Sequence, residues 1–152
     1  MTSSIKIIAN NKKAKHDYHL QDFLEVGMEL TGSEVKSLRN GACNLKDSFV
    51  TVDRGELFLN KAHISEYKYS NYNNHSPERK RKLLAHREEI NKLEKKIQQK
   101  GFTLVPTKIY FKNGICKLEV ALGKGKKRHD KRDSIKKRDV NRELSRALKK
   151  SR

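Results

Sequence analysis

The sequence has 152 residues and carries 36 Lys and Arg against 18 Asp and Glu, a formal net charge of +18. A chain of that length buries one core with room for an appendage, and such an excess of charge self-repels unless a polyanion, nucleic acid or an anionic membrane, lies nearby. Two cysteines, Cys43 and Cys116, without CxxC or Cys/His spacing exclude a zinc finger or disulfide framework and fit reduced cytosolic thiols. The opening MTSSIKIIANNKKAK has too brief an apolar patch for a secretory signal. No run reaches membrane-spanning length, so a soluble cytoplasmic protein is expected.

Residues 1–16 form a basic lead around Lys12, Lys13 and Lys15. From Asp17, the segments YHLQDFLEVGMELTG and SEVKSLRNG mix apolar and polar residues, and alternation at Met28, Leu30 and again at Val50, Val52 predicts strands. FVTVDRGELFLN predicts a hairpin turning at Asp53-Arg54-Gly55, and TLVPTKIYFKNGICKLEVAL a second turning at Asn113-Gly114. Pro106 within the second requires an edge or a bulge. A single helical insertion is predicted at about 76–100, from the Ser76-Pro77 start to Gly101, with Leu83, Ile90, Leu93 and Ile97 on one stripe and Leu84 off it. Leu84 is either an ordinary exposed leucine or an apolar point in an RNA-facing surface beside ERKRK.

Short strands with turn signals and no βαβ alternation predict a mainly β protein with accessory helices. Its core is an antiparallel barrel of the oligonucleotide-binding (OB) type over residues 1–122. Residues 123–152 form a basic tail with 14 basic and 4 acidic residues, a net of +10. GKGKKRHDKR, at its start, lacks an apolar anchor, so the tail is expected to be disordered when free. Ile135, Val140, Leu144, Ala147 and Leu148 loosely outline a helical face awaiting a surface.

The six histidines form no HExxH or other metal spacing, and no phosphate-loop or GxSxG pattern occurs. No catalytic residue, metal or cofactor is therefore expected. Binding chemistry is plentiful, because Tyr18, Tyr67, Tyr69, Tyr72, Tyr110 and Phe111 are interleaved with Lys and Arg. Rings stack on unpaired bases while cations meet phosphates; for any single ring, a place in the core or a strand is the favoured reading. A membrane-bound helix would need a fuller apolar face than the tail offers.

NKKAKHDY, EVGMELTGSEVKSLRNG, LKDSF, NHSPERKRKLLAHREEI and GKGKKRHDKRDSIKKRD follow one another in the order and spacing of the SsrA-binding protein (small protein B, SmpB) family, which the chain resembles over nearly its whole length. The resemblance implies a barrel that binds the tRNA-like domain of transfer-messenger RNA, and a tail that becomes helical in the decoding centre and empty mRNA channel of a stalled ribosome. It also implies indirect partnership with translation elongation factor Tu through the shared RNA, and a monomer. Carried over by position, the RNA-binding candidates are Asn11, Glu25 and Leu84 with Lys12, Lys13 and Lys36. The ribosome-binding candidates are Gly125, Lys126, Lys127, His129, Asp130, Lys131 and Arg132. The glycines are expected to permit a bend, and Asp130 to pair locally or cap a following helix. Ala85 stands where the family often has a third leucine, and Ser33 where it often has threonine.

Overall fold

A computed structural model describes residues 4–69, 74–99 and 101–150, apart from the side chains of 128–130, 133, 134 and 150. Two hairpins frame the architecture. In the first, β4 (Phe49–Asp53) pairs with β5 (Glu56–Asn60) around Arg54 and Gly55, both at positive φ (50° and 76°). In the second, β8 (Phe102–Lys112) pairs with β9 (Ile115–Gly125) around Asn113 and Gly114, at φ 52° and 80°. Two left-handed residues in succession give the primed turn whose twist matches that of the strands. Pro106 is accommodated by a register shift between Pro106 and Lys108, the bulge that its missing N–H requires.

The remaining long strands are β1 (Ile5–Asn10), β2 (Tyr18–Met28) and β7 (Arg81–Leu84), while Cys43–Asn44 and His63–Ile64 (β3 and β6) form a separate short pair. The order β8-β4-β5-β7-β2-β9 returns to β8 through the second hairpin, so an antiparallel barrel closes. Strand β1 lies beside the second half of β8, from Ile5↔Lys112 to Asn10↔Lys108, whereas β4 takes the first half at Val50↔Leu104. The interior contains Val26, Leu57, Leu59, Leu83, Leu104, Ile109, Leu118, Val120 and Leu122. Burial of this apolar set is the main force holding the barrel closed.

The helix predicted at 76–100 is a strand followed by a shorter helix. Residues 81–84 are β7, and α3 spans only Arg87–Ile97 with His86 at its N-cap. Barrel closure decides this, because β7 fills the gap between β5 and β2 through Leu57↔Leu83 and Gly27↔Leu84. Pro77 cannot start the helix either: its carbonyl accepts from Ile64 N at 2.9 Å and from Arg81 Nη2 at 3.0 Å. Leu83 therefore enters the core as a strand residue, and Ile90 and Leu93 do so from α3.

Two further helices occupy segments read as strand or as basic lead. Helix α1 (Lys12–Asp17) is capped by Asn11, and α2 (Gly32–Arg39) begins with a complete Thr31/Glu34 capping box. The Glu34 side chain is fully buried. Its Oε1 accepts from Thr31 N at 2.9 Å and Arg79 Nη2 at 2.6 Å, while Oε2 accepts from Arg81 Nε. Arg81, also fully buried, donates to Ala62 O at 2.8 Å. The pair thus ties α2, β7 and the β5–β6 connection together.

The tail boundary also moves. Residues 123–125 extend β9, pairing with Tyr18, His19 and Leu20 of β2. Neither Gly123 nor Gly125 has positive φ. At Gly123 a Cβ would come within 3.1 Å of the Tyr18 ring, so this glycine makes room for packing and is not a bend. Beyond it lies α4 (Arg128–Lys150), a helix that includes the spaced apolar residues Val140, Leu144, Ala147 and Leu148. Three polar ties to α1 hold its base: Lys126 N to Asp17 O at 2.8 Å, Lys126 Nζ to Lys15 O at 3.1 Å, and Lys131 Nζ to Asp17 Oδ1 at 3.5 Å. Asp130 falls in the first turn of α4, not before it.

Candidate nucleic-acid interface

Glu25 and Leu84 lie 59 positions apart in sequence but line one shallow depression, with Gly27, Ala85, His86, Glu89 and Lys117. The alternation of β2 sends Val26 inward and Glu25 outward, and that of β7 sends Leu83 inward and Leu84 outward. Leu84 is 48 % exposed. Its outward position comes from strand alternation, with period two, and not from the face of a helix.

The Glu25 carboxylate accepts from the Tyr110 hydroxyl through Oε2 and meets Lys112 Nζ at 3.5 Å through Oε1. The Tyr110 hydrogen bond, helped by Lys112, holds the Glu25 carboxyl below its ordinary range. Burial and Glu25 together push the Tyr110 phenol up. At neutral pH the site is an ionised, partly exposed carboxylate set among lysines. One of its oxygens is only loosely engaged, so it can accept from a base amino group.

Lys12, Lys13 and Lys36 lie on two helices. Lys12 and Lys13 project from α1 into solvent, and Lys13 pairs with Asp47 at 2.6 Å. The Asp47 hydrogen bond raises the Lys13 pKa and lowers that of Asp47. Asn11 does not face solvent. It is buried, with Oδ1 accepting from Ala14 N at 3.2 Å and Nδ2 donating to Pro106 O at 2.8 Å. Both ends of its amide are engaged within the protein, so it holds the start of α1, which carries Lys12 and Lys13.

Lys36, on α2, lies 5.5 Å above the Tyr67 ring, which meets Tyr69 edge-on at 5.6 Å. Lys68 covers Tyr69 at 5.8 Å, and Tyr69 is 74 % exposed. Tyr67 and Tyr69 thus offer a lysine-flanked stacking surface, whereas Tyr110 and Phe111 are buried. Tyr72 lies outside the described residues.

In the tail, Lys126, Lys127, Lys131 and Arg132 are partly or fully exposed. The His129 and Asp130 side chains lie outside those described. Sequence reasoning missed Asp17, the acid on which Lys131 converges, and Lys117, which shares the depression with Glu25 and Leu84. Neither belongs to a local motif, because each acquires its partners through strand or helix packing. The T-G-S-E signature of the capping box was present and could have found α2.

No group of three or more His, Cys, Asp or Glu suited to a metal ion occurs among the described residues. Burial pushes the Cys43 thiol up to about 11 and the Cys116 thiol up to about 12, so both stay protonated at neutral pH. His75 is a core residue whose Nε2 donates to Ile64 O at 2.8 Å, leaving Nδ1 to accept from Ser33 Oγ at 2.9 Å. No helix among the described residues is long and apolar enough to cross a membrane.

A closed, basic antiparallel barrel with an outward carboxylate–leucine depression and a cationic helical tail defines a small β-barrel class with an appended helix. The SmpB protein family model matches residues 8–150, and the chain belongs to that family. The SsrA-binding protein of Syntrophotalea carbinolica is 55 % identical over 144 residues, covering 95 % of this chain and 96 % of the relative. That of Bdellovibrio bacteriovorus is 53 % identical over 152 residues and spans both chains completely. A solved chain described as "tmRNA-SmpB: a journey to the center of the bacterial ribosome" is 42 % identical, with a TM-score of 0.67 over 84 % of this chain and 93 % of that one.

Proposed function

We propose that the protein binds transfer-messenger RNA at its tRNA-like domain and delivers it to stalled ribosomes for trans-translation and rescue. The barrel reads the RNA, and the C-terminal tail occupies the decoding centre and the empty mRNA channel. Membership of the SmpB family supports this reading, as do relatives named SsrA-binding proteins and a solved relative described with tmRNA and the bacterial ribosome. The observation that carries it is the convergence of Glu25 and Leu84 on one depression, a hydrogen-bond acceptor beside an apolar surface. Lys12, Lys13 and Lys36 supply phosphate contacts, while Asn11 acts by holding α1. On this reading the protein is a cytoplasmic, monomeric RNA binder without catalytic activity, and it meets elongation factor Tu through the RNA they share.

The tail has its own chemistry. At about 100° per residue, Val140, Leu144, Ala147 and Leu148 fall on one side of α4, opposite Lys131, Arg138 and Arg142. Val140, Leu144 and Leu148 are more than half exposed. From Val140 onward α4 sets an apolar stripe opposite Arg138 and Arg142, while its earlier turns carry cations on both sides, a pairing that suits a groove lined by rRNA bases and phosphates.

The test compares the full chain with residues 1–127 for binding to labelled transfer-messenger RNA across a salt series, with ordinary tRNA as competitor. Cutting after Lys127 keeps β9 intact. Both forms should prefer transfer-messenger RNA, with affinity falling steeply as salt rises, and only the full chain should support peptide tagging on stalled ribosomes. Equal affinity of both forms for the two RNAs would make the protein a general basic RNA binder.

A further inference from the structure

Helix α4 presents a single stripe to α1. Lys131, Arg138 and Arg142 lie within about 40° of one another around the helix axis. Lys131 meets an acid, the Asp17 carboxylate, at 3.5 Å; Asp17 also contacts His16 Nδ1 at 2.9 Å. The next two residues meet cations. Arg138 and Arg142 line a depression with Lys12, Lys15 and His16 of α1, and none of its lining residues is acidic. Four permanent charges of one sign across a concave gap repel one another, and a counter-charge entering it relieves that repulsion. The ties at Asp17 and at the Lys15 carbonyl fix only the base of α4, so they do not offset this repulsion about two and three turns further along.

We infer that the depression between α1 and α4 is an anion site that takes consecutive phosphate groups of an RNA backbone, and that its occupant clamps α4 onto α1. Arg138 and Arg142, at i and i+4, offer forked donors suited to phosphate oxygens, and Lys12 and Lys15 meet the same oxygens from the other wall. A ligand that binds only when both walls are together stabilises the docked form by mass action. The tail is then loose in the free protein and ordered along α1 once phosphate is present, so its direction is set before it reaches any second surface. The inference rests on the RNA-binding reading only for the source of the phosphates.

The test is amide hydrogen exchange in α4 of the full-length protein at constant ionic strength. The added ligand is inorganic tripolyphosphate or a short single-stranded RNA oligonucleotide. Exchange across residues 135–146 should slow roughly tenfold with either ligand, and not with sodium chloride of equal ionic strength. R138E/R142E converts the gap to opposite charges, so α4 should be protected without ligand and tripolyphosphate should add nothing. K12Q/K15Q, which leaves the α4 sequence untouched, should lose the response to both ligands. Equal protection by sodium chloride, or a retained response in K12Q/K15Q, would overturn the site. A response to tripolyphosphate but not to the oligonucleotide would overturn RNA as the source. Should the barrel fail to prefer transfer-messenger RNA while both ligands still protect α4, the specific function falls and this site stands.

Discussion

Gly27 and Leu84 oppose each other across the β2–β7 ladder, and a Cβ at position 27 would come within 3.3 Å of the Leu84 Cβ. The missing side chain lets the leucine lie against the sheet while half of it faces solvent. Leu84 thus has a fixed orientation without belonging to the core, as a contact residue on a rigid scaffold requires. L84D should weaken transfer-messenger RNA binding by roughly tenfold, equivalent to about 1.4 kcal/mol. Its melting temperature should fall by no more than about 3 °C. A large thermal loss with unchanged RNA affinity would assign Leu84 to the barrel's stability instead.

Tyr110 controls the state of Glu25. Its hydroxyl is the first cause of the lowered Glu25 pKa, ahead of Lys112. Y110F should therefore move the Glu25 carboxyl back toward the ordinary glutamate value, measured by NMR titration of the side-chain carbonyl. The sign follows from linkage: a depressed folded-state pKa contributes stability above the unfolded value, and this is lost as pH falls through the folded one. Y110F should then flatten the acid limb of the stability curve. An unmoved Glu25 titration would mean that the lysines alone hold the charge.

Both long hairpins were legible because Arg54-Gly55 and Asn113-Gly114 are local chemistry, two left-handed positions between alternating strands. At Pro106 the missing N–H narrowed the choice to an edge or a bulge, and the register shift makes it a bulge. The stretch 76–100 misled because Ser76-Pro77 is a valid helix start and Leu83 matches the stripe of Ile90, Leu93 and Ile97. What overrules this local pattern is the vacancy between β5 and β2, a partner supplied only by closure. Glu25 was identified through the resemblance, and Leu84 through both its place off the apolar stripe and the resemblance, but their meeting at one depression needed the register of three strands. Asn11 shows the opposite limit, since its position in the sequence gives no sign that both ends of its amide are satisfied inside.

Glu34 and Arg81 form a fully buried ion pair whose other donors and acceptors are mostly backbone or Arg79. Breaking it strands a charge in the interior, so E34A should cost about 3–5 kcal/mol in urea unfolding. Burial raises the Glu34 pKa, but the hydrogen bonds from Arg79, Thr31 and Arg81 outweigh it and the net shift is downward. Its contribution is present above the ordinary glutamate range and disappears as pH falls below it. The wild-type protein should lose stability steeply on acidification and E34A much less so. Parallel acid curves would show that other carboxylates dominate.

Lys131 has two claims on it. It reaches Asp17 at the base of α4, and it sits in the HDKR stretch assigned to the ribosome. Reversing charge at Asp130, Lys131 and Arg132 together should spare transfer-messenger RNA binding and abolish peptide tagging, but that loss alone cannot say which claim matters. The swap D17K/K131D separates them. It re-forms the ion pair with reversed polarity, so α4 keeps its attachment to α1, as hydrogen exchange at its first turns would report. Tagging should remain lost, because the cation offered to the decoding centre is gone. Recovery of tagging in the swap, with K131D alone inactive, would make the attachment to Asp17 the function of Lys131 and remove it from the ribosome-contacting set.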